Sequence, residues 1–208
     1  MHPRPVMISG MILLLAALAA CSSTPPGPRA PVETMEPIQV EGSSQATLTI
    51  ADVYVSLEPD TRLGFNHEGA GNNRTYDYRW GPNLSAEIEE LNDSVIYILS
   101  NAGYRTVPWN PESAAQSTAG DPVLELRPII DQLELNSFAD AGGYSQAYCH
   151  VVWEAFKPGA KNPFFSSVTS GYNRQTEHSA GIFQTAFERA LKNLLADEKF
   201  VAAVAAAQ

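Results

Sequence analysis

Hydrophobic positions fall into a few clear periods along the chain. Leu48 and Ile50 alternate with Thr47 and Thr49, then Val53, Val55 and Leu57 alternate with Tyr54 and Ser56. The phase slips across Ala51-Asp52, which predicts one strand carrying a bulge. Leu84, Ile88, Leu91, Val95, Leu99 and Ala102 recur at spacings of three and four. That is one face of an amphipathic helix. Pro82 and Asn83 open it, Glu87, Glu89 and Glu90 suit its positive end, and Gly103 supplies a left-handed stop before Tyr104 and Val107 turn back toward a sheet.

Three strands then follow with short turns. Leu124, Leu126, Ile129, Ile130, Leu133 and Leu135 mark the first; Pro128 predicts an edge strand or a bulge at that point. Ala147, Cys149, Val151, Trp153 and Ala155 form the inward face of the second. Phe164 to Asn173 alternates as the third, after the turn at Pro158-Gly159. Such a run reads as an antiparallel meander. Ser179 is the expected cap of a last helix with Phe183, Ala186, Phe187, Ala190, Leu191, Leu194 and Leu195 on its apolar face, and Asp197 restarts a short helix carrying Phe200, Val201 and Val204. The expected fold is α+β: a mainly antiparallel sheet, in the order strand, loop, helix, three strands, helix, with two main helices on one face.

Residues 58–82 interrupt this regularity. A loop of that length is functional or hides a hairpin. Tyr76, Tyr78 and Trp80 alternate on one face. They read as a short strand or as an exposed aromatic patch, which makes them the candidate partner contact. Gly69-Ala70-Gly71-Asn72-Asn73 lacks the Lys-Ser or Lys-Thr and the following helix of a phosphate loop.

The N-terminus has a different pattern. His2 and Arg4 precede an apolar run, Met11–Ala20, too short to span a bilayer, and Leu18-Ala19-Ala20-Cys21 closes it. Small residues directly before a Cys form a bacterial lipobox. The expected organisation is a signal peptide at 1–20, a lipidated Cys21 with a Pro-rich tether at 21–45, and a periplasmic domain at 46–208. Pro25, Pro26, Pro28, Pro31 and Pro37 make residues 22–44 an extended spacer or a docking peptide. Ser22, in place of the Asp that marks inner-membrane retention in Gram-negative lipoproteins, directs the expectation to the outer membrane.

Composition adds bounds. The chain has 208 residues, 44 % of them hydrophobic, which suits one domain plus a tether. A net charge of −10 repels phosphate backbones and excludes nucleic acid as a partner. It also supplies no polybasic patch, so membrane attachment falls to the lipid anchor. With Cys21 lipidated, Cys149 has no disulfide partner and is expected as a buried thiol.

Candidate chemistry is sparse. Gly143-Tyr144-Ser145-Gln146-Ala147 resembles a nucleophile elbow, but a turn precedes Ser145 and a strand follows it, the reverse of what the motif needs. His67, His150 and His178 have no metal-ligand spacing. His150 and Glu154 share a strand face at a separation of roughly 13 Å. No catalytic residue, metal or cofactor is assigned, and a hydrolase ranks third behind two binding roles.

Lipobox, tether, a helix ending in Gly103-Tyr104, the strand Asp121-Pro122-Val123-Leu124-Glu125-Leu126, Asp131-Gln132-Leu133, and a C-terminal helix with Ala190-Leu191 and Leu194-Leu195 together resemble the YajG-type envelope lipoproteins. These resemble in turn the auxiliary lipoproteins of ABC-type transporters. The resemblance covers residues 46–205 and implies an outer-membrane lipoprotein without catalytic residues. The expected role is an accessory component of an envelope transport or assembly system, working with an unidentified envelope protein. The alternative is a binding module for a lipid, glycan or small apolar ligand.

Overall fold

A computed structural model describes residue 40 and residues 46–69, 74–108, 123–139, 143–176 and 181–208. The lipobox with Cys21, the Pro-rich segment, His178 and Ser179 lie outside them, as do residues 70–73 of the Gly-rich turn. The strands are β1 (Thr47–Ile50), β2 (Tyr54–Val55), β3 (Arg62–Glu68), β4 (Arg74–Arg79), β5 (Arg105–Pro108), β6 (Val123–Phe138), β7 (Tyr144–Phe156) and β8 (Phe165–Thr176). The helices are α1 (Ser85–Asn101), α2 (Ile182–Leu195) and α3 (Glu198–Ala207).

The 16-residue β6 is the axis of the sheet. β7 pairs antiparallel along nearly all of it, and β8 pairs antiparallel with β7. The other edge of β6 is therefore left to β1, β2 and β3, which lie along it in succession, all parallel. β5 pairs outside β1, and β4 pairs outside β3. The sheet is mixed, its longest pairings are antiparallel, and the α+β class holds.

The sequence predicts β6 as an edge strand or as bulged at Pro128. Both are corrected. Pro128 lies in a central strand, opposite Trp153, and the register slips at Asp131, between Ile130 and Gln132. That slip lets Leu124, Leu126 and Ile130 face the same core as Leu133 and Leu135. The position of Pro128 has its own cause. Ala51 N–H donates to the Leu126 carbonyl at 2.9 Å. A parallel ladder would next return from the N–H of residue 128 to Ala51. Proline has none, so β1 stops there and pairing resumes at β2. In the gap, Val53 N–H donates to Asn92 Oδ1 of α1 at 2.8 Å. The single bulged strand predicted over 47–57 is thus two short strands.

Residues 58–82 hold the β3–β4 hairpin, the second of the two readings that their length suggested. Its first strand has no clean alternation. Gly64 explains part of this: a Cβ there would stand 1.9 Å from the Leu135 carbonyl oxygen.

α1 and α2 pack together on one face of the sheet. The predicted apolar faces are the buried ones: Leu91, Val95, Leu99 and Ala102 in α1, and Phe183 through Leu195 in α2. α1 ends as predicted. Gly103 takes φ +100°, and Tyr104 N–H reaches back to the Leu99 carbonyl at 3.1 Å. Asp197 caps α3, accepting from Lys199 N–H at 2.9 Å. Among the described residues no helix packs on the opposite face of the sheet, the open face.

Candidate functional site

Register places an unexpected line of polar residues on the helix-covered face. Tyr76 stands opposite Asn66, Asn66 opposite Ser137, Ser137 opposite Ser145, and Ser145 opposite Gln175. Directly paired residues share a face. Ser137 and Ser145 occupy core-phase positions and are buried. Their hydroxyls are hydrogen-bonded at 2.9 Å. The Tyr78 hydroxyl is also hydrogen-bonded to Ser137. Asn66 Oδ1 is buried without a protein partner.

Ser137, Ser145 and Tyr78 line a cavity of about 240 Å³. Leu84 at the N-cap of α1, Glu87 in its first turn, and Gly181, Ile182 and Phe183 at the start of α2 line it from the helix side. Neither helix has a side-chain cap at its start, and Gly181 holds the left-handed conformation that begins α2. Glu87 is an exposed residue, but partial desolvation of its carboxyl raises the pKa, and Glu90 adds to the rise. Burial also raises that of the Tyr78 phenol; the Ser137 hydrogen bond works the other way, and Glu87 adds to the rise.

Ser145 lines this cavity. Among the described residues its hydroxyl is bonded to another hydroxyl, that of Ser137, where a nucleophile needs a base. His150 lies on the open face, its Nδ1 2.5 Å from Asp131 Oδ1. His67 Nδ1 is bonded to Thr75. Among the described residues no group of three or more His, Cys, Asp or Glu is placed to hold a metal ion. Cys149 is fully buried opposite Gly171, and burial pushes its thiol up to about 12.

The three aromatic residues singled out in the sequence separate. Tyr76 is 45 % exposed, while Tyr78 and Trp80 pack partly against the core. A different row stands out on the open face. Tyr54, Ile129, Val152 and Val168 are paired in turn across β2, β6, β7 and β8. Its ends are 63 % and 51 % exposed. Both rows escape a reading of single segments, since each draws one residue from each of several strands. The signal present in the sequence is Ser137 and Ser145 in phase with buried Leu135 and Ala147.

No family model matches the chain, and no curated relative does. Protein XCC0632 from Xanthomonas campestris, of the DUF330 family, shares 13 % identity over 81 % of this chain and 90 % of its own, with a TM-score of 0.45. A neuraminyllactose-binding hemagglutinin homolog from Helicobacter pylori shares 8 % over 86 % and 98 %, at 0.43. Lipoprotein GNA1162 from Neisseria meningitidis shares 14 % over 74 % and 99 %, at 0.32. No role is carried from them to this chain, and the resemblance to YajG-type lipoproteins rests on the order of elements and on the helix-Gly103-Tyr104-strand junction.

Proposed function

We propose that the chain is a lipid-anchored envelope protein that acts by binding a second envelope component, as an accessory part of a transport or assembly system. The observation that carries this is Leu18-Ala19-Ala20-Cys21 followed by a Pro-rich spacer. Diacylglycerol and an N-acyl chain on Cys21 exceed the two-chain minimum for stable anchoring. Ser22 favours the outer membrane, with the folded body in the periplasm. Tyr76, Tyr78 and Trp80 remain a candidate contact, and the open-face row ending at Val168 is a second one.

The test has two arms. Metabolic labelling with a palmitate analogue should mark the wild-type chain and leave Cys21→Ala unmarked. Ser22→Asp should move the chain to the inner membrane. Crosslinking in intact envelopes should then recover a specific protein with the wild type, and less of it with Val168→Lys. Recovery of no specific protein would count against the accessory role.

A second reading has its own support. The 240 Å³ cavity with buried hydroxyls favours a module that holds a small ligand between helices and sheet.

A further inference from the structure

We propose that the cavity between β4, β6, β7 and the starts of α1 and α2 binds a neutral, hydroxyl-rich ligand the size of one sugar ring. This rests on the second reading above and names its ligand class. The size sets the first limit. At about 240 Å³ the cavity is smaller than the roughly 300–1,000 Å³ that hold drug-sized ligands, so it seats one ring, and any longer ligand would have to extend out of its open mouth.

Charge sets the second. Glu87 lines the cavity, and among the described residues no Lys, Arg or His does. An anion would meet that carboxylate with no cation among the described residues to offset it. A cation would meet the positive ends of α1 and α2, each equivalent to roughly half a charge. A neutral ligand escapes both penalties. Its hydroxyls can donate to Glu87 and accept from backbone N–H groups at the start of α2, which no side chain among the described residues caps.

Hydrogen-bond capacity sets the third. Ser137, Ser145 and Tyr78 carry hydroxyls, each able to donate and accept. They sit in a connected chain that can reorient around a ligand with the same dual character. Leu84, Leu135, Ile182 and Phe183 supply apolar wall for the C–H face of a ring. A wholly apolar ligand would leave the hydroxyls and Glu87 buried with no partner gained, which is costly.

The experiment is ligand-observed saturation-transfer NMR on the full chain, purified in a sugar-free zwitterionic detergent. The probes are D-glucose, D-galactose, N-acetyl-D-glucosamine and myo-inositol, with sulfate and ethanolammonium as charged competitors. At least one of the four should receive saturation, and neither ion should displace it. Glu87→Gln, at an exposed helix position, should weaken that ligand by roughly ten-fold, the loss of one hydrogen bond to a charged group. Ile182→Trp, which fills the cavity, should abolish binding while the thermal melt by circular dichroism stays cooperative. Absence of transfer to all four probes, displacement by either ion, or binding unchanged in both variants would overturn the proposal. None of these readouts depends on lipidation or on a partner protein, so failure here leaves the anchor and the accessory role standing.

Discussion

Gly171 is a point of very close approach between sheet and helix. A Cβ added there would stand 1.8 Å from the Ala186 carbonyl oxygen and 2.7 Å from Ala190 N, both backbone atoms of α2. Neither can swing aside, so Gly171→Ala must push the helix away. Overpacking of this kind costs about 1–3 kcal/mol, and a lowered urea midpoint with an unchanged slope would register it. Cys149, opposite Gly171, gives a pH-dependent counterpart. Burial raises its pKa from 9.0 to about 12, and burial raises Tyr104 from 10.0 to about 12. Both groups are neutral when protonated. The unfolded chain therefore loses these protons first, and between pH 9 and about 12 the native state holds more of them. Stability should fall as pH rises through that window and be unaffected by these groups below it. Urea midpoints measured across the window should drop less steeply in Cys149→Ala. The burial of Cys149 was legible in the sequence, because it sits in phase with Ala147, Val151 and Trp153. The need for Gly171 was not: it depends on where α2 lands.

At the scale of elements, β6 shows where periodicity suffices and where it fails. The apolar set Leu124, Leu126, Ile130, Leu133 and Leu135 locates the strand and implies one slip. It does not say which residue bulges, and Pro128 draws attention to the wrong one. The proline is tolerated because its missing donor falls where two short partners meet, and partners are a property of the whole sheet. The same limit hid β3, whose glycine and polar residues follow no strand period. β8 adds a protective device. The carbonyls of Ser170 and Tyr172, on one edge of the strand, accept from Asn193 Nδ2 at 2.8 Å and from the Arg189 guanidinium at 2.5 Å. Side chains from α2 thus occupy groups that would otherwise invite another strand. The double change Arg189→Ala with Asn193→Ala should cost about 1–3 kcal/mol for two hydrogen bonds. It should also promote self-association, seen as a rising mean mass with concentration in sedimentation or light scattering. Unchanged mass would mean that the edge is guarded some other way.

For the whole molecule, the sequence conveys an address better than a site. The proposed lipobox, Leu18-Ala19-Ala20-Cys21, is a contiguous pattern, the kind that sequence reading can find. The cavity is assembled from Tyr78, Ser137, Ser145, Glu87 and Ile182, which are distant in the chain and meet only through the register of four strands and the placement of two helices. Ser145 attracted notice as a nucleophile on local sequence, whereas its position gives it a hydroxyl neighbour, Ser137, and a place in the proposed ligand cavity. The address has a physical consequence of its own. With 23 acidic and 13 basic Lys and Arg residues the chain has little electrostatic attraction for an anionic surface. Among the described residues no helix is long and apolar enough to cross a membrane. If acyl chains on Cys21 hold the protein to the bilayer, attachment should ignore ionic strength. Salt at about 1 M shrinks the screening length to about 3 Å and strips proteins held by charge, but it does not weaken burial of acyl chains. A 1 M salt wash of isolated envelopes should therefore leave the wild-type chain in the membrane pellet, and detergent should release it. Cys21→Ala should be in the soluble fraction before any wash. Release of the wild type by salt alone would show that a charged protein partner, and not lipid, holds the molecule in place.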